Sequence, residues 1–353
     1  MTQTVESKRS ARARAAWLTG IVLTVAVVCV LLISSTAGQY TTTPLEVLSS
    51  IKRVLIEGAD PTENSTDAAL WTIRFPRALL AAVIGASLAL AGTVMQGIFA
   101  NPLAEPSVVG VSAGASVGAC VAIVFGLTAT GTWVLPVGAF IGAMIATACV
   151  WMLAKGSGKV MVLTLVLTGI AINAIGGALT SFLVYLGDTT SREEIIFWQM
   201  GSLAAARWEQ VGICLAVLAV TAFAIWFYRN KLDVLALGDA AAHGTGINVE
   251  RLRFISVILV CILTGTAVAF SGMIGFVGLV VPHALRLIVG PSHKYLVPLS
   301  LLGGATLLGL ADTAARTLIP LSDIPVGVFT AIVGGPVFII LLRGTLKKGG
   351  VRS

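Results

Sequence analysis

Apolar residues run along this chain in long unbroken blocks, not in strand-like alternation. The first block, Trp17 to Ala37, follows a basic segment holding Lys8, Arg9, Arg12 and Arg14. A secretory signal has the same layout, and Ser35-Thr36-Ala37 resembles its cleavage site, but the block exceeds a usual signal core and reads as a retained helix. Further blocks lie at about Pro76–Ala100, Ser107–Leu127, Trp133–Ala154, Val160–Leu186, Val211–Tyr228, Phe254–Gly272, Phe276–Val289, Leu296–Ala311 and Val326–Leu342. About 20 apolar residues cross a bilayer, so the pattern predicts about ten spanning helices, some short enough to be tilted or broken. Between the first two, Gly38 to Trp71 is polar and acidic and predicts an extramembrane loop with a short helix.

Composition narrows the class. Of 353 residues, 57% are hydrophobic and only 11% charged, with a mean hydropathy of +0.96. Soluble domains carry about a quarter charged residues, and disorder needs low hydrophobicity, so both are excluded. The expected fold is an all-α polytopic membrane protein, a single transmembrane domain over residues 1–353. With the N-terminus inside and an even number of spans, both termini are cytoplasmic and residues 1–16 form a cytoplasmic tail. Sixteen Lys and Arg and five acids then fall inside, against seven and eleven outside. That bias is the positive-inside signature, so the net charge of +7 reports topology and not nucleic-acid binding. Cys29, Cys120, Cys149, Cys214 and Cys261 all lie in apolar stretches and read as small hydrophobes. Gly110, Gly114 and Gly118, with Gly138 and Gly142, recur at every fourth residue, the spacing that lets helix backbones approach closely within a chain or across a dimer.

Little in the chain carries chemistry. No G-x-x-x-x-G-K-[ST] phosphate cradle occurs, and Gly156-Ser157-Gly158-Lys159 is a basic turn of the wrong spacing. The chain is expected to have no ATPase activity of its own. His243, His283 and His293 lack metal-ligand spacing, no catalytic motif or cofactor site appears, and the acids cluster at span ends, unlike those of a proton-coupled carrier. The largest polar connection inside is 229–253. There Leu232–Leu237 predicts a short helix stopped by Gly238, with Asp239 capping a second, Ala240 to His243. Such a pair reads equally as a docking knob or an interfacial loop. Asn101-Pro102 and Glu105-Pro106 bracket a rigid inner turn, and Pro282-His283 interrupts an apolar run; both read first as helix breaks.

Several motifs stand in a telling order: Arg74-Phe75-Pro76-Arg77, Gly92-Thr93-Val94-Met95-Gln96, Asn101-Pro102-Leu103-Ala104-Glu105-Pro106 and Gly110-Val111-Ser112-Ala113-Gly114-Ala115. Then come Trp198-Gln199-Met200-Gly201-Ser202-Leu203, Leu235-Ala236-Leu237-Gly238-Asp239, Gly275 to His283, Ala311-Asp312-Thr313-Ala314-Ala315-Arg316 and Asp323-Ile324-Pro325-Val326-Gly327. From Arg74 to Leu342 the set resembles the FecCD-type permeases of bacterial ABC importers for ferric siderophores, haem and cobalamin. Phe75, Asp323 and His243 depart from residues common in that family, without loss of a charge or a turn residue.

The resemblance implies a permease subunit in the bacterial inner membrane that pairs with a second, identical or paralogous permease. Two ATP-binding cassette ATPase subunits dock inside and a substrate-binding protein outside. It implies ATPase coupling through Leu235, Ala236, Leu237, Gly238 and Asp239, and binding-protein docking at Arg74, Arg77 and Arg316. The bland account of these arginines is interfacial snorkelling, with Arg316 paired to Asp312 one turn earlier. Thr168, Asn173, Thr180 and Ser181 lie on the helix that the family sets along the translocation path, although such groups also serve as interhelical glue. The expected cargo is a ferric siderophore. Cobalamin or haem is the alternative within the family, and a secondary transporter or a membrane scaffold the alternative outside it.

Overall fold

Backbone buried in lipid must satisfy its hydrogen bonds within its own segment, so the long apolar blocks close into helices. The computed structural model describes residues 2–38, 42–155, 161–319 and 322–349. The Gly156–Lys159 turn lies outside the described residues, as does Arg352. In chain order the helices are α1 (Thr2–Thr36), α2 (Pro44–Leu55), α3 (Ser65–Ala69), α4 (Phe75–Ile98), α5 (Val111–Val124), α6 (Val134–Ala154), α7 (Val162–Leu186), α8 (Thr189–Met200), α9 (Trp208–Leu235), α10 (Asp239–Gly244), α11 (Val249–Ser271), α12 (Val277–Val289), α13 (His293–Thr317) and α14 (Val326–Gly349).

Seven of these are long and apolar enough to cross a membrane, and α5, α12 and α14 are shorter apolar helices. Together they account for the ten predicted spans. At 1.5 Å per residue, the 14 residues of α5 and the 13 of α12 fall short of a hydrocarbon core of about 30 Å. Irregular backbone completes both. A 3₁₀ turn, Pro106–Val109, leads into α5, and the segment 272–276 leads into α12 from the end of α11. Such backbone is tolerated at membrane depth where protein covers it. Here Ser202 N–H donates to the Ser271 carbonyl (2.8 Å), tying 272–276 to the start of the α8–α9 connection.

α4 is the central element. Nearly every residue from Arg77 to Ile98 is buried, and α4 packs against α1, α9, α11, α12 and α13. α5, α6 and α7 form a second group, joined to α4 mainly through α11. Two crossings bring backbones into direct contact. A Cβ on Gly85 or on Gly304 would run into the partner glycine's carbonyl, and one on Gly92 into that of Gly278. The glycines of α5 behave likewise: Gly114 faces Gly142 and Gly118 faces Gly138. The every-fourth-residue spacing thus serves a contact within one chain.

The polar connection after α9 differs from expectation. α9 runs without a break through Arg229, Lys231 and Asp233 to Leu235, because Leu232 and Leu235 are buried and no helix breaker precedes Gly238. The short first helix expected at Leu232–Leu237 is therefore the last turn of a span. Asp239 does not cap α10; Gly238, at φ 111°, holds the N-cap position and makes no side-chain bond. The loop between α1 and α4 holds α2, a short helix as expected of Gly38 to Trp71, closed by a full capping box from Thr43 and Glu46. α8, on the same face, was not anticipated.

Packing through glycine predicts an asymmetry. Gly85→Leu and Gly304→Leu should each lower detergent-solubilised thermal stability by at least 1–3 kcal/mol, the usual cost of overpacking. Gly177→Ala, with nothing within 4 Å of its Cβ, should leave the melting curve in place.

Candidate functional site

The described residues bring the predicted docking and coupling side chains together at the two ends of the bundle, while the predicted path residues lie along α7. At one end α4 begins, α1 and α13 finish and α14 starts. Arg77 points its fork into this junction. Its Nε donates to both Asp312 carboxylate oxygens (3.1 Å each), one terminal nitrogen to Asp312 Oδ1 (2.9 Å) and the other to Asp323 Oδ2 (2.7 Å). Asp312 is fully buried, whereas the Asp323 side chain is 41% exposed. Arg316 lies 3.7 Å from Asp312 through Nε. The anticipated one-turn pair is thus the looser one, and Asp312 is held chiefly by Arg77.

Arg74 and Arg316 have a different task. The last turn of α1 leaves carbonyls without helical partners. Arg74 donates to the carbonyls of Ser35 (2.7 Å) and Thr36 (3.1 Å) and to the Thr42 hydroxyl. Arg316 donates to the carbonyls of Ala37 (2.7 Å) and Ser34 and to Ser34 Oγ (2.9 Å). Cations at a helix C-terminus also meet its negative dipole end. Snorkelling does not describe these arginines: Arg74 and Arg77 are buried, and all three donate inward. Beside them Trp208 Nε1 donates to the Trp71 carbonyl (2.7 Å) and Trp71 Nε1 to Ser50 Oγ (3.1 Å), which fixes the loop between α1 and α4 on the starts of α4 and α9.

At the opposite end, the α9–α11 connection projects. Leu235 is buried and Leu237 is 79% exposed. Asp239 accepts two hydrogen bonds from Arg253 (2.9 and 2.5 Å). The Arg253 guanidinium is almost wholly buried beneath it, with Nε 3.5 Å from the Ile98 carbonyl at the end of α4. One turn from the tip, Asp233 accepts from Ser292 Oγ (3.0 Å) and from the His293 backbone N–H (2.7 Å), with His293 Nδ1 at 2.6 Å. The projecting segment is therefore bolted to α4, α11 and α13. Sequence reasoning named Asp239 but passed over Arg253, Asp233 and His293, whose partners lie 14 and 60 residues away. The turn Asn101–Pro106 is a helix break, as read: Asn101 Oδ1 accepts from Leu103 N–H, and the Glu105 carboxyl accepts a hydrogen bond from the Phe276 backbone.

The polar residues of α7 divide. Asn173 Nδ2 donates to the Ser107 carbonyl (3.0 Å) and Thr180 Oγ1 to Ser116 Oγ (3.3 Å), so both glue α7 to the α5 side. Thr168 is half-buried and Ser181 exposed. Most of the α7 surface is exposed in the single chain. All five cysteines are free; only Cys29 is exposed.

A family model described as the FecCD transport family matches residues 23–344. The cobalamin import system permease protein BtuC of Halobacterium salinarum is 44% identical over 77% of this chain and 72% of its own length. The hemin transport system permease protein HmuU of Yersinia pestis is 41% identical over 81% of this chain and 88% of its own. The Fe(3+)-citrate import system permease protein YfmE of Bacillus subtilis is 37% identical over 81% and 85%. A solved structure, an inward-facing conformation of a metal-chelate type ABC transporter, superimposes with a TM-score of 0.81 at 32% identity, covering 92% of this chain and 98% of that one.

Removing one partner of a buried ion pair strands the other charge. Asp312→Ala should therefore cost about 3–5 kcal/mol of stability, read as loss of the monodisperse peak on heating. Asp323→Ala, at a more exposed carboxylate, should cost no more than about 1 kcal/mol.

Proposed function

The chain belongs to the FecCD transport family and is a permease of the ABC importer type, and on that premise we propose that it carries a ferric siderophore across a bacterial inner membrane. The observation that carries the permease part of this reading is the combination of ten apolar helices with a projecting, internally braced segment on a chain that has no phosphate cradle; for an iron-chelate cargo the support is the Fe(3+)-citrate permease among the relatives. Transport driven by ATP then needs a separate ATPase. Two cassette subunits would grip the segments of two permeases, with Leu237 entering an apolar pocket of the ATPase. Bracing by Asp239–Arg253 and Asp233–His293 would pass the resulting movement into α4, α11 and α13.

The basic end faces the cytoplasm in this reading, as the positive-inside rule requires. The opposite end receives the substrate-binding protein. Arg74, Arg77 and Arg316 are the docking cations: an incoming carboxylate would compete with Asp323, the exposed partner, for the Arg77 fork. α7, with Thr168, Asn173, Thr180 and Ser181, would line the path at the junction with the second permease. Cobalamin or haem is the second reading of the cargo, and the relatives that transport cobalamin and hemin favour it.

Uptake into proteoliposomes decides both energy supply and cargo. The permease alone should hydrolyse no ATP. With its ATPase and binding protein it should accumulate labelled ferric siderophore in preference to cobalamin or haem; the reverse preference selects the second reading, and ATP turnover by the pure permease removes the assignment. Leu237→Glu and Gly238→Pro should abolish uptake while leaving membrane insertion intact, and normal uptake in both would reduce the segment to a surface loop. For docking, Arg316→Ala in a variant that still folds should weaken binding-protein affinity roughly tenfold, mainly through slower salt-sensitive association. Unchanged affinity at low salt would leave these arginines with their internal role alone.

A further inference from the structure

Between α1 and α13, in the half of the bundle next to the basic end, lies an open groove of about 470 Å³. Its floor is Gly20 against Leu299, and its walls are apolar or aromatic, among them Trp17, Ile21, Val25 and Pro298. Two lining residues carry hydroxyls: Thr24 Oγ1 is satisfied by the Gly20 carbonyl (2.8 Å), and Tyr295 stands beside Lys294. Along α1 the groove extends from Ala16 to Val25, a rise of roughly 14 Å at 1.5 Å per residue. That is close to one leaflet of a hydrocarbon core of about 30 Å. Trp17, Ile21 and Val25 are each more than half exposed, so the groove opens sideways toward the space that acyl chains occupy.

Its mouth is cationic. Pro298 and Leu302 both line the groove, and Lys294 stands one turn before Pro298 on the same stripe of α13. Trp17, Ile21 and Thr24 form the facing stripe of α1, and Arg14 continues it toward the basic end. Lys294 reaches over the Tyr295 ring (5.7 Å) at the rim. Both cations are exposed, and neither forms an ion pair among the described residues. Arg12 adds a third positive group against Gly290 at the α12–α13 junction. The nearby carboxylate, Asp233, is already engaged by Ser292 and His293. An apolar slot one leaflet deep, with an aromatic rim and two cations at the headgroup level, has the chemistry of a phospholipid site with a preference for negative headgroups.

We propose that the α1–α13 groove binds one acyl chain of an anionic phospholipid from the leaflet at the basic end, with Arg14 and Lys294 holding its phosphate. The site needs only that the chain spans a membrane. Its test reads binding and not transport, so it stands or falls apart from the cargo assignment. Native mass spectrometry of the detergent-solubilised full chain provides that readout, with phosphatidylglycerol, phosphatidylcholine of the same acyl chains, and inorganic phosphate as probes. Phosphatidylglycerol should be retained over phosphatidylcholine, and the Arg14→Gln/Lys294→Gln double variant should lose that preference by roughly tenfold or more. Gly20→Leu, which fills the floor, should lower retention of both lipids; should one variant fail to fold, the other decides. Equal retention of the two lipids, or an unaltered preference in the double variant, would overturn the proposal. Displacement of the lipid by millimolar phosphate would convert the site into a free-anion site. A crosslink from Gly20→Cys to a second copy would give the groove to a protein partner.

Discussion

The structure depends on how closely two backbones can approach α4. Lipid tails are as apolar as leucine, so burying apolar surface does not drive spanning helices together; close van der Waals packing must do it. Gly85 against Gly304 and Gly92 against Gly278 remove the side chains that would hold α13 and α12 away. Once those backbones touch, α4 is enclosed along its length, and the helices around it are positioned relative to one rod. The α5–α6 contact repeats the device in the second group, with Gly114 on Gly142 and Gly118 on Gly138.

A rod of 24 residues is about 36 Å long, and each end of α4 carries a polar anchorage. At its start Arg77 grips Asp312 of α13 and Asp323 ahead of α14. At its finish the Ile98 carbonyl meets Arg253, which holds Asp239 of the projecting segment. Buried charges are costly unless paired and hydrogen-bonded, and both anchorages meet that condition with bidentate guanidinium–carboxylate geometry. Continuity from one face to the other therefore runs through a stiff central helix and not through a chain of mobile loops.

Much of this was legible in the sequence for a plain reason. Spans announce themselves by local composition, so the number of apolar helices, the polar loop before Trp71 and the glycine faces of α5 and α6 could be read from neighbouring residues. Contacts that join distant segments could not. Arg77 and Asp312 are separated by 235 positions, and no local pattern pairs them. The arginines were legible as unusual, because three cations on an acidic face need a reason, but not as the groups that close the end of α1. The end of α9 was misread for the converse reason: polar residues from Arg229 suggested that the span had ended and a separate short helix followed at Leu232–Leu237, while the buried Leu232 and Leu235 kept one helix going. α8 escaped because it is short and mostly exposed, with neither an apolar block nor a repeat to signal it.

The same distribution of polar groups bears on selectivity. Asn173 and Thr180, two of the polar residues expected along the path, are spent on Ser107 and Ser116. The exposed face of α7 is left with Leu, Ile and Phe side chains, small residues, Ser181 and, near its end, Tyr185. If α7 lines the path, that path offers a large hydrophilic chelate few hydrogen-bonding partners and no charge. A surface of that kind discriminates poorly between cargoes, since specificity needs either favourable contacts for one or unpaired polar groups against another. Such a path would be compatible with relatives that carry cobalamin, hemin and iron-citrate in their names: on the proposed reading, the choice among cargoes falls to the binding protein and not to α7.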